Sequence, residues 1–137
     1  MLHFSIVKRL NAKGKRLRHY PLSLCVGLVI IVLSLYPFGR IELAEHVPLA
    51  DKWTHMVMYG VLAVVIWWEY TRSHDHRYDV RLVVWVLLLP IVLGGALELA
   101  QHYLTTYRSG EWLDLVADAI GAAVGALVGR LGSFLRR

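Results

Sequence analysis

The chain has 137 residues, 57% of them apolar, with a formal net charge of +5. That length suits one domain, and the apolar share exceeds that of an ordinary soluble domain. No nucleic-acid-binding motif accompanies the basic surplus, so no nucleic-acid partner is expected, and the single cysteine, Cys25, excludes an intramolecular disulfide and a thiolate metal cage.

Residues 1–19 form a basic tail in which six Lys and Arg alternate with Leu2, Phe4, Ile6, Val7 and Leu10. It reads as a positively charged cytoplasmic flank, or as an amphipathic segment lying on the inner surface. An uncharged run, Tyr20 to Phe38, follows. It ends in Tyr36-Pro37-Phe38-Gly39 without a small-x-small cleavage signature, so it is expected to stay as an anchor. The second run, Trp53 to Tyr70, is polar only at its two ends, and Asp51 stands where a helix cap is expected. The third, Leu82 to Leu104, is uncharged until Glu98, with Pro90 and Gly94-Gly95 predicted to bend it. The fourth, Leu113 to Leu131, is built largely from Ala, Gly and Val. Gly121, Gly125 and Gly129 recur every fourth residue there, a small face that lets helices approach closely, within the bundle or between copies in a homo-oligomer.

Each run approaches the ~20 residues needed to cross a bilayer. The predicted fold is therefore an all-α membrane protein with four transmembrane helices at about 20–38, 53–70, 82–104 and 113–131, forming one domain over 20–137. Twelve of the fifteen Lys and Arg lie in the tail, the Thr71–Arg81 loop and the C-terminal end. The positive-inside rule then places both termini in the cytoplasm and the loops 39–52 and 105–112 outside. Trp53 and Trp112 at the outer ends, with Trp67, Trp68, Tyr70 and Trp85 near the inner ends, read as aromatic belts.

In this topology three helices carry ionisable or polar groups to one level, near the outer face. Asp51, Lys52, His55 and Tyr59 open the second helix, Glu98, Gln101 and His102 close the third, and Asp114 and Asp118 open the fourth, with Arg108 in the loop between. Asp51/His55, Glu98/His102 and Asp114/Asp118 are each four apart and share a helix face. A charge at the centre of a membrane helix costs about 2.5–3.5 kcal/mol on insertion scales, so these groups are expected to face inward. They would form a ring of caps and ion pairs, a binding or catalytic pocket, or a carboxylate–histidine metal site. No HExxH pattern is present and Lys52 and Arg108 would oppose a cation, so neither a metal nor a cofactor is expected.

The segment from Asp51 onward resembles the VanZ-like family. The matching residues are Asp51-Lys52-x-x-His55-x-x-x-Tyr59-Gly60, Glu98-x-x-Gln101, Arg108 and Trp112-Leu113-Asp114, with Gly121 and Gly125 beyond them. Asp118 departs from the pattern, which has Asn there, and His102 is not part of it. The resemblance implies a multi-pass protein of the bacterial cytoplasmic membrane, related to proteins associated with resistance to the glycopeptide antibiotic teicoplanin. It implies no particular reaction. Asp51, Lys52, His55, Tyr59, Glu98, Gln101, Arg108, Asp114 and Asp118 become the candidate pocket. The expected partners are membrane lipids and a lipid-linked cell-wall intermediate or glycopeptide. An enzyme using Glu98 or His55 as acid/base and a structural partner protein are the alternatives.

Overall fold

The computed structural model describes residues 20–36, 49–74, 79–106 and 110–135. The basic tail 1–19, most of the loop 39–52 and Arg108 lie outside the described residues. All regular structure among the described residues is helical, in four helices: α1 (Pro21–Leu35), α2 (Ala50–Ser73), α3 (Val80–Leu104) and α4 (Trp112–Leu135).

Local sequence explains their ends. Pro21 occupies the first turn of α1, where its missing N–H is not needed. The helix stops at Leu35 because Tyr36, ahead of Pro37, is pushed to extended backbone (φ −85°, ψ 137°). This makes α1 shorter than the 20–38 span expected. α2 starts earlier than expected, after Leu49, a non-glycine residue held in left-handed backbone at φ 60°. Asp51 is therefore not the cap: it sits within the first turn, where a carboxylate still interacts favourably with the exposed N–H groups. α3 continues unbroken through Pro90 and Gly94-Gly95.

The helices run alternately up and down. α2 is the central one: it packs against all three others, most extensively against α4. α3 lies across both, and α1 leans on α2 and α3. The α2–α4 contact is close because glycines meet there. A Cβ on Gly121 would strike the backbone of Met56, and one on Gly125 would strike the Gly60 carbonyl and lie 2.8 Å from the Ala63 methyl. The glycine face of α4 is thus used for packing within the bundle.

Central position also changes the aromatic residues. Trp67 is buried and donates its indole N–H to Ser133 Oγ at 2.9 Å, and buried Tyr70 stacks on His74 with ring centres 4.2 Å apart. Neither belongs to an interfacial belt as the sequence had implied. Trp53, Trp68, Trp85 and Trp112 are exposed.

Two helices, α3 and α4, are long and apolar enough to cross a membrane. With 15 residues, α1 reaches about 22 Å at 1.5 Å per residue, short of a ~30 Å hydrocarbon layer. α2 has the length, but aromatic and polar residues dilute its apolar character, as expected of a helix that the other three cover. Large apolar side chains nevertheless stay exposed along every helix, among them Leu28, Val57, Val92 and Leu127.

Candidate functional site

The up-and-down order brings the start of α2, the end of α3, the start of α4 and the end of α1 to one end of the bundle. Of the nine site residues expected from sequence, eight lie within the described residues, and they gather at this end. His55, Tyr59, Glu98, Gln101, Asp114 and Asp118 are all at most 9% exposed, Lys52 is half-buried and Asp51 lies exposed at the rim.

At the centre, His55 Nδ1 is 2.8 Å from Asp118 Oδ1, a buried hydrogen bond between α2 and α4. The other imidazole nitrogen, Nε2, lies 3.9 Å from Asp114 Oδ2. Tyr59, one turn deeper on α2, is parallel to the His55 ring with centres 6.1 Å apart. Asp118 has room because α3 carries glycine opposite it: a Cβ on Gly94 would collide with the Asp118 carboxylate.

Toward the rim, Lys52 Nζ donates to Asp114 Oδ1 and to Glu111 Oε2, the latter at 2.6 Å. Lys52 precedes the 53–70 apolar segment. Partial burial alone would lower its pKa, but the hydrogen bonds and charges of Asp114 and Glu111 prevail and raise it above the usual lysine range. Glu98 Oε2 accepts the backbone N–H of Glu111 at 2.7 Å, tying the end of α3 to the approach to α4.

Gln101 serves a different purpose. Its Nε2 donates to the Ser34 carbonyl at 2.9 Å, securing the last turn of α1. Among the described residues, three polar atoms at this end are sealed from solvent without a hydrogen-bond partner: Tyr59 Oη, Gln101 Oε1 and Asp118 Oδ2. Buried polar atoms are usually satisfied, so three orphans in one cluster need a reason. His102 is exposed and meets Tyr103 edge-on, away from the cluster.

Sequence reasoning missed Glu111 at this end and Glu69 at the opposite end of the bundle. Glu111 escaped notice because it stands just ahead of the apolar run, although an acid there is well placed for a helix start. Glu69 was taken for the polar end of a span. It is 3% exposed and caps α1, accepting Leu22 N–H at 2.8 Å, Ser23 N–H at 3.0 Å and the Ser23 hydroxyl at 2.5 Å. A lone acid in an apolar run was the available signal.

The described carboxylates of the cluster are Asp51, Glu98, Glu111, Asp114 and Asp118, against the single described lysine, Lys52. The site is rich in acceptors. It suits ligands bearing amines, hydroxyls or a cation better than bare anions, and the His55–Asp118 pair has the form of a proton-transfer dyad.

No family model matches the chain, and no solved structure matches it. A curated relative, Uncharacterized protein C11E3.10 of the fission yeast Schizosaccharomyces pombe, is 28% identical over 127 residues. The match covers 93% of this chain but 66% of that protein, so the chain spans just under two thirds of its relative's length.

Proposed function

We propose that the chain is a four-span membrane protein of VanZ-like type, in the bacterial cytoplasmic membrane with both termini cytoplasmic. Its buried polar end would bind the polar head group of a lipid-linked envelope intermediate, or a glycopeptide. The observation that carries this reading is the convergence of six buried polar or ionisable side chains from three helices, with orphaned oxygen atoms among them. Intramembrane ionisable groups are usually functional. The ordered motif from Asp51 to Asp114 supports the family assignment, and the apolar side chains exposed on α1 and α2 suit lipid contact for these two helices as well.

Lys52 is engaged by Glu111 and Asp114, so the recognition chemistry rests on acceptors. Glu98, Asp114 and Asp118 take hydrogen bonds from amine or sugar hydroxyl groups, His55 and Tyr59 shape the wall, and Arg108, which falls between α3 and α4 in the sequence, would supply positive charge for phosphate or carboxylate. The test is binding of labelled lipid-linked wall precursors and of teicoplanin to the purified protein. Glu98→Ala and Arg108→Ala are expected to insert normally and lose binding; full retention in both would sink the reading.

A second reading follows from the 2.8 Å His55–Asp118 pair: a membrane enzyme acting on the same lipids by acid/base chemistry. It requires product release by the wild type and its loss in His55→Ala. Binding without turnover across a broad lipid panel decides for the first reading.

A further inference from the structure

We propose that His55, Glu98 and Asp118 together bind one divalent transition-metal ion, with zinc as the best match. The site uses three residues of the proposed head-group pocket, but its test does not depend on which head group is bound. One ligand atom from each of the three residues lies within 4.8 Å of the other two. Ligands about 2.0–2.2 Å from a common ion stand closer together than that, so the three side chains must draw in slightly to share one. Each ligand comes from a different helix, which fixes the triangle.

The second observation is the set of unpartnered oxygens. Asp118 is fully buried, yet its Oδ2 has no donor. Tyr59, also fully buried, has an unpartnered hydroxyl and lies within electrostatic reach of Asp118 and Glu98. A carboxylate shut away from water is tolerated when paired or bound to a metal. His55 engages Oδ1 alone, and Lys52, held at the rim by Glu111 and Asp114, leaves Oδ2 unpartnered. The Lys52 charge is offset there by two carboxylates, which weakens its opposition to a cation deeper in the cluster.

The donor set selects the ion. One imidazole nitrogen with two carboxylates suits zinc, or manganese, better than the hard all-oxygen ions magnesium and calcium. With the ion on Nδ1, the ring proton sits on His55 Nε2, which is 3.9 Å from Asp114 Oδ2 and outside hydrogen-bond reach. A closing shift on metal binding would bring the two together as a carboxylate–histidine–metal relay and make Asp114 a positioning residue. Three protein ligands leave a fourth position open for water. A second triangle, Asp51–His55–Asp114, shares the same imidazole. It is the poorer site because Asp51 is exposed and Asp114 already holds Lys52.

The test uses the full chain purified in detergent, stripped with a chelator, dialysed and titrated with zinc chloride, with metal content and thermal unfolding as readouts. The expected result is about one zinc per chain and a higher unfolding temperature, because a ligand bound only to the folded state stabilises it. His55→Ala and Asp118→Asn lose the bound zinc, exposed His102→Ala keeps it, and Asp114→Asn keeps the stoichiometry with affinity weakened by about 10–100-fold. Absence of saturable zinc binding, or binding that persists in both His55→Ala and Asp118→Asn, overturns the proposal. Should those variants fail to fold, X-ray absorption on the zinc-loaded wild type decides. Nitrogen and oxygen neighbours at about 2.0–2.1 Å with imidazole scattering support the site; sulfur at about 2.3 Å, which would indicate Cys25, overturns it.

Discussion

His55 Nδ1 and Asp118 Oδ1 stand 2.8 Å apart, 63 residues apart in the chain, and both side chains are shut away from solvent. This contact joins α2 to α4 at the level where the glycines bring the two backbones together. The pair therefore sits on the tightest seam of the bundle, and its loss should be felt in stability as well as in any ligand chemistry.

The first prediction concerns that pair. Replacing His55 by Ala leaves the Asp118 carboxylate buried without its donor, and breaking a buried pair on one side costs about 3–5 kcal/mol. Asp118→Asn keeps an oxygen and a shape that can still meet the imidazole, so its cost should be smaller. Thermal unfolding of the metal-free protein in detergent checks this. Equal stability of His55→Ala and wild type would show that the contact carries no weight.

The glycines make a second. A methyl on Gly121 meets the Met56 backbone, which cannot rotate away. Gly121→Ala should therefore push α4 from α2 and cost about 1–3 kcal/mol, the usual range for overpacking. Nothing lies within 4 Å of the corresponding position on Gly132, so Gly132→Ala is the control and should be neutral or slightly stabilising. The two variants, compared by the same unfolding measurement, separate packing from helix propensity.

A third concerns Glu69. Its carboxylate holds the first turn of α1 through two backbone N–H groups and one hydroxyl. Glu69→Ala removes a cap-like interaction of about 0.5–2 kcal/mol. Faster hydrogen exchange at Leu22 and Ser23, with the α2–α4 amides unchanged, is the expected signature. Unchanged protection at both positions would mean that the cap contributes nothing.

These residues show how much the sequence could disclose. The helices and the level of the polar cluster were legible because an ionisable group inside an apolar run is costly wherever it sits, so Glu98 and Asp118 announce an interior site. The i,i+4 spacing of Asp114 and Asp118 correctly put both on one inward face. Lateral order was not legible. A run that is apolar all round has no moment to say which side meets a neighbour, so Trp67 read as interfacial when it is core. Glu69 read as a polar end when its partners lie 46 and 47 residues earlier. The Lys52 ammonium read as a pocket charge opposing a cation for the same reason: its engagement by Glu111 and Asp114 depends on how closely α4 approaches α2.

The last prediction uses that rim network and the sign of its titration. The ordinary lysine pKa is 10.5, and in the folded protein that of Lys52 is higher. A group raised on folding contributes stability that is fully present below its unfolded pKa and is lost as pH rises through the folded value. The contribution of Lys52 is therefore constant across neutral pH and declines only in the alkaline range above about 10.5. Lys52→Met strands Asp114, which is 1% exposed, and should destabilise the chain at pH 7. It should also flatten the part of the alkaline stability loss that belongs to this group. Because Lys52 is half-buried, screening keeps the neutral-pH effect on the order of 1–3 kcal/mol. Unfolding measured for wild type and Lys52→Met from pH 7 to 11 tests both parts. A difference between them that stays constant above pH 10.5 would show that the ion pair does not titrate as the geometry requires.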